Sequence, residues 1–171
     1  MTVIDFLKKY APYAREIEAE TGLSAIAILA QCALETGWGS TVVGNMMFGV
    51  KDSDGINGNE QLLTTTEYLS TPHGKFPTII SIQKWGNNLW KYIVKDYFRK
   101  YNSPADSFRD HAQLIKSRPH FAKAWAARAN YIQFLKELQA GPLKYATGPD
   151  YAKICISIGN SIAFTIQSLK L

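Results

Sequence analysis

Ala25-Ile-Ala-Ile-Leu-Ala-Gln-Cys-Ala-Leu-Glu-Thr36, followed by Gly37-Trp38-Gly39, is the stretch on which the fold turns. As a helix it is apolar on nearly every face, so it has no side to give to water and belongs at the centre of a domain. Ser24 stands before it as an N-cap, and Gly37 and Gly39 end it, since glycine enters the left-handed conformation that closes a helix without steric cost. The one carboxylate, Glu35, falls in the last turn. Apolar neighbours, the negative end of the helix dipole and burial beside Trp38 would all raise its pKa. A carboxyl that keeps its proton near neutral pH suits a general acid; the plainer alternative is a solvated side chain at a helix end.

Working outward, Val3, Phe6, Leu7, Tyr10, Tyr13, Ala14 and Ile17 recur at helical spacing and Gly22 supplies a stop, which predicts a helix over 3–20. Downstream the texture changes. Gly44, Gly49, Gly55 and Gly58, with Asp52-Ser-Asp54 and Asn57-Gly-Asn59, separate two β-prone runs, Met47–Lys51 and Leu62–Leu69. These predict a small polar β-lobe over about 45–70. Ile82, Trp85, Leu89 and Ile93 return to helical spacing and predict an extra helical segment over about 80–96, with Tyr97–Tyr101 as a short strand. The last third reads as helical. Ser103-Pro104 is an N-cap with a first-turn proline, Arg118-Pro119 starts a short helix, Asn130 caps another, and Ile154, Ile158, Ile162 and Ile166 line the last. The fold class is α+β, mostly helical, in one domain over 1–171.

Composition bounds the function. A chain of 171 residues, 46% hydrophobic and 19% charged, is one ordinary domain that buries roughly 70% of its unfolded surface. The longest apolar run, Leu23 to Leu34, is broken by Ser24 and Gln31 and falls short of the ~20 residues of a membrane span, so no membrane insertion is expected. The first residues show no secretory signal. The net charge of +5 favours polyanionic partners, or serves only solubility. Lysine and arginine are spread with no run longer than two, which speaks against nucleic acid. Cys32 and Cys155 lie in apolar-periodic segments and read as free buried thiols. His73, His111 and His120 form no ligand set, so neither a metal nor a cofactor is expected.

Several segments then match a family in order along nearly the whole chain. Ala30-Gln-Cys-Ala-Leu-Glu35-Thr-Gly-Trp-Gly39, Phe48-Gly-Val-Lys51, Thr64-Thr-Thr-Glu67-Tyr68, Phe98-Arg-Lys-Tyr101-Asn-Ser103 with Asp110, Arg118-Pro-His-Phe-Ala122 and Tyr145-Ala-Thr-Gly-Pro-Asp-Tyr151-Ala152 resemble the motifs of glycoside hydrolase family 73. Its members are peptidoglycan-cleaving domains of flagellar assembly proteins and autolysins. Two positions depart from the pattern. Met46 replaces an asparagine, which leaves Asn45 as the neighbouring amide, and Gly148 replaces the aspartate that caps the last helix, a task left to Gly148 or Asp150.

The resemblance implies a lysozyme-like fold with the β-lobe beside a groove, and hydrolysis of the bond after N-acetylglucosamine in peptidoglycan glycan strands, without a cofactor. Glu35 would be the general acid. Glu67, with Glu60 as weaker competitor, would be a second carboxylate. A spacing of about 6.5–9.5 Å would imply inversion and about 5 Å a nucleophile, while attack by the substrate's acetamido group needs no second carboxylate. Tyr145 would orient that group. Trp38, Asn45, Phe48, Tyr68 and Tyr151 are the candidate substrate-binding residues, Tyr151 also serving to pack the last helix; Trp85 reads as packing. The implied setting is the bacterial cell wall, reached as a phage or tail protein or within a longer secreted chain, and the implied state a monomer. Rival readings are a muramidase or lytic transglycosylase on the same fold, a non-catalytic wall-binding module, and, more distantly, a DNA-binding protein.

Overall fold

Thr2 opens the first helix: its hydroxyl accepts the amide of Asp5, satisfying one of the donors that a helix start leaves free. Helix α1 (Val3–Thr21) ends at Gly22, whose φ of 74° provides the left-handed cap that the sequence calls for. A computed structural model describes residues 1–170, which divide into a helical unit (Met1–Phe48 with the chain from Tyr101 onward) and a sheet unit (Gly49–Lys100).

In the helical unit, α2 (Ala25–Thr36) is the central element, with every residue from Ala27 to Ala33 buried. Ser24 precedes it but makes no side-chain cap; Glu18 reaches across from α1 instead, its Oε1 accepting the Ala25 amide at 3.0 Å. Packed against α2 are α1, α5 (Tyr131–Ala140) and α6 (Tyr151–Leu169). Helix α3 (Pro104–Ser117) starts at Ser103, and a turn at Pro119–Phe121 leads into α4 (Ala122–Ala126). Asn130 caps α5 as its sequence suggests, accepting the Gln133 amide at 3.1 Å.

The inner face of α6 differs from the isoleucine row. Tyr151, Cys155, Gly159 and Ile162 face inward, while Ile154 is exposed. Gly159 is the reason: a Cβ there would stand 3.0 Å from the Tyr131 ring and 3.3 Å from Ile26, so only glycine permits so close a crossing. Its weak start also follows from the sequence. Asp150 makes no side-chain cap, and the Gly148 carbonyl accepts the Tyr151 amide at 3.2 Å.

The sheet unit corrects three expectations. Residues 80–96 are not helical: they form strand β2 (Thr78–Trp85) and most of strand β3 (Leu89–Arg99), which pair antiparallel, while β1 (Glu60–Leu69) pairs with β3 on its other side. The helical spacing of Ile82, Trp85, Leu89 and Ile93 was coincidental. Gly86-Asn-Asn88 is a hairpin turn with Gly86 at φ 70°, and Tyr92, Val94 and Phe98 alternate as a half-buried strand requires. The sheet unit therefore runs over 49–100 rather than 45–70. The Met47–Lys51 run is no strand either. Met47 and Phe48 are buried in the helical unit, and Lys51 makes only an isolated bridge to Phe98.

Candidate active site

Helix α2 sets the position of Glu35 in its last turn, and Gly37 at φ 54° ends the helix directly after it. The expectation of a buried carboxyl needs correction, because Glu35 is an exposed residue. Yet the atoms packed about the carboxyl withhold enough water to raise its pKa above the ordinary carboxylate range. Among the described residues nothing bonds to it or pairs with it. A reachable carboxyl whose charge is disfavoured, with no cation to restore it, is suited to giving up a proton. Trp38 turns elsewhere: held at φ 58°, it packs edge-on against Phe6 with ring centroids 5.4 Å apart.

Behind Glu35 lies a chain of neutral polar groups. Gln31 stands four residues before it, one turn back on α2. The Gln31 amide donates to the Tyr151 hydroxyl at 2.9 Å, and its carbonyl oxygen accepts from His111 Nε2 at 3.2 Å. His111 is fully enclosed, and burial first, then the Arg118 charge, brings its pKa down to about 3, so it is neutral. The Tyr145 ring lies 5.4 Å from Tyr151 and edge-on to His111 at 5.7 Å. Burial, then the charge of Glu35, raises Tyr145; burial raises Tyr151 as well, with Glu35 again contributing. These phenols therefore lie within the field of the carboxyl. The two thiols do also: burial pushes Cys32 up to about 12 and Cys155 up to about 11. Both remain free and buried, as their sequence surroundings predict.

The structure thus brings Glu35, Tyr145 and Tyr151 together and assigns Phe48 and Asn45 other work. Phe48 is 3% exposed and stacks on His111 with centroids 3.7 Å apart, so it is a wall of the network rather than an open platform for a sugar. Asn45 spends its amide on the chain, donating to the Tyr101 carbonyl at 3.0 Å. Gln31 and His111 went unnoticed as functional residues. A signal for Gln31 existed: it is the polar side chain one turn from Glu35 on an otherwise apolar helix.

In the sheet unit, strand alternation separates two neighbours that the sequence pairs. Glu67 lies opposite Tyr92 on the face that also carries Val94, Asp96 and Phe98. Tyr68 lies opposite Lys91 on the other face, 46% exposed, with its ring 5.9 Å from Trp85. Trp85 is itself half exposed rather than packed away, with the Lys91 ammonium 5.1 Å from its ring centre. Glu67 is bound to a cation: Lys51 Nζ stands 2.8 Å from its Oε1 and also bridges to Asp96. Burial alone would lower the Lys51 pKa, but the bonds to Asp96 and Glu67 outweigh it and raise it. Glu60, the competitor, is committed to a turn, accepting the amides of Asn57 and Gly58 at 3.1 and 2.8 Å. Among the described residues no group of histidine, cysteine, aspartate or glutamate could hold a metal.

With the geometry in view, comparison with known proteins gives the class first. The structure superposes on the glycoside hydrolase domain of FlgJ from Salmonella typhimurium with a TM-score of 0.75 and 26% identity, covering 99% of this chain and 94% of that one. Residues 11–163, running through both units, match the glucosaminidase family model, described as mannosyl-glycoprotein endo-beta-N-acetylglucosaminidase, and the chain belongs to that family of glycoside hydrolases. Among curated proteins it is 29% identical over 156 residues to the peptidoglycan hydrolase FlgJ of Pseudomonas aeruginosa, covering 87% of this chain and 34% of that protein. It is 30% identical over 156 residues to the probable N-acetylmuramidase of Lactococcus lactis, covering 85% of this chain and 30% of that protein. The chain spans about a third of the length of these two relatives.

Proposed function

We propose that this chain is an endo-acting glycosidase that hydrolyses the β-1,4 bond after N-acetylglucosamine in bacterial peptidoglycan, with Glu35 as the general acid. One observation carries the reading: Glu35 is reachable, unpaired and held above the ordinary carboxylate pKa by desolvation. In this reading its proton passes to the glycosidic oxygen as the bond breaks. Water adds to the anomeric carbon and gives its proton to the base, and exchange with solvent restores the proton on Glu35. Tyr145, within the field of Glu35, orients the substrate's 2-acetamido group, and the Gln31–His111–Tyr151 network keeps the phenols in place. The family description and the peptidoglycan hydrolases among the relatives support the substrate. The setting is the bacterial wall, where the net charge of +5 favours attraction to an anionic polymer.

Glu67 is the proposed base that activates water. Its side chain is 28% exposed and so open to water, which supports the role. The Glu67→Gln enzyme separates the mechanisms: a loss of at least about tenfold in kcat supports a base, and an unchanged rate supports attack by the acetamido group.

The relatives named as muramidases favour a second reading, cleavage of the other glycan bond. Mass spectrometry of digested walls decides between them. Reducing-end N-acetylglucosamine is the predicted product, while reducing-end N-acetylmuramic acid or its anhydro form would contradict the assigned bond.

A further inference from the structure

On the helical unit, the segment between α5 and α6 borders a surface hollow of about 520 Å³ with Tyr145 in its wall. Three basic side chains, Arg118, His120 and Lys144, line the hollow, and no carboxylate does. Neither Arg118 nor Lys144 forms an ion pair or a side-chain hydrogen bond among the described residues. Arg109, for comparison, engages Glu16, Glu20 and Asp106. Phe121 and Leu143 supply an apolar floor, with the Phe121 ring 6.3 Å from that of Tyr145.

The wall of this hollow is held firmly. Gln139 clamps it from α5, its carbonyl oxygen accepting the Ala146 amide at 2.9 Å while its Nε2 donates to the Ala146 carbonyl at 3.0 Å. The Tyr145 amide donates in turn to the Leu138 carbonyl at 3.0 Å. Cations on a fixed rim, with no counter-charge and an apolar floor, suit an anionic ligand that carries aliphatic groups. Proximity to the acid narrows the choice. The Tyr145 ring in the wall of the hollow lies 5.4 Å from that of Tyr151, whose hydroxyl accepts from Gln31 one turn before Glu35, so a chain being cut at Glu35 has its own substituents near the hollow.

We infer that this hollow binds the carboxylate-bearing peptide branch of peptidoglycan, making Arg118 and Lys144 specificity-determining residues. Arg118 offers a planar fork to a carboxylate, and Lys144 a point charge beside it. Alanine-type methyl groups of the branch rest on Phe121 and Leu143. The inference rests on the wall-hydrolase reading above, and it predicts an enzyme that prefers peptide-substituted glycan over bare strands.

The test has two arms. In the first, NMR follows titration of the protein with a soluble acidic stem peptide. Shifts should centre on Arg118, Lys144 and Tyr145, weaken about tenfold in the Arg118→Gln/Lys144→Gln double variant, and vanish for a fully amidated peptide. The same shifts with amidated peptide, or shifts with inorganic phosphate alone, would overturn the inference whatever the enzyme does. The second arm compares kcat/KM on intact walls and on strands stripped of peptide. The double variant should lose about tenfold in the ratio of the two, chiefly through KM, while Lys95→Gln leaves the ratio unchanged. Equal losses on both substrates, or the same change in the Lys95 control, would refute it. A wild-type protein that releases no reducing sugar from either substrate refutes the proposed activity instead, with the peptide titration still deciding what the hollow binds.

Discussion

The two units handle buried polarity in opposite ways. In the helical unit the enclosed groups are neutral: His111, Gln31 and Tyr151 satisfy one another, and no cation pairs with Glu35. In the sheet unit the groups are charged, and Lys51 joins Glu67 to Asp96 in a half-exposed cluster. The contrast sets Glu35 and Glu67, the proposed acid and base, in unlike surroundings. Desolvation without a counter-charge favours the protonated form of Glu35.

The strongest way to break the comparison is to remove its acid. Glu35→Gln should lower kcat on purified walls by about 10²–10⁴-fold while circular dichroism stays unchanged, since the side chain bonds to nothing among the described residues. Replacing Phe48 by alanine strikes the stack on His111, and urea unfolding should show a loss of about 3–5 kcal/mol. Gln31→Leu takes from His111 its side-chain partner and from Tyr151 one of its partners in the interior, at a cost of about 1–3 kcal/mol, or roughly 2–12 °C in Tm. The charged cluster should prove less costly. Lys51→Met should change stability by under about 1 kcal/mol, because both pairs are partly exposed and screened by water. Tyr68→Ala, on the open face of the sheet, should move stability by no more than about 0.5 kcal/mol.

Much of the helical unit was legible because its signals are local. Gly22, Ser103-Pro104 and Asn130 mark helix ends by mechanisms acting within a few residues, and the structure uses each of them. The sheet unit was harder. Ile82, Trp85, Leu89 and Ile93 satisfy a helical period by chance, and only Gly86-Asn-Asn88 betrays a hairpin, so the long-range pairing of β2 with β3 decides the matter. At the site, the position of Glu35 in a last turn was readable and its exposure was not. Exposure depends on how α2 sits among α5 and α6, a matter of tertiary packing of the kind seen where Gly159 meets Tyr131 and Ile26. The same holds for Phe48 and Tyr68. Their aromatic character suggested sugar contact, but burial against His111 in one case and strand parity in the other set where they point.

The role of Glu35 also fixes the pH dependence. Its raised pKa keeps it protonated to higher pH than an ordinary glutamate, and activity should fall as pH rises through that pKa; a rate unchanged to pH 9 would exclude proton donation. Most direct of all is a ¹³C NMR titration of the Glu35 carboxyl in the free protein. The account predicts a midpoint above the ordinary glutamate value of about 4.3, and a midpoint at or below it would contradict the account.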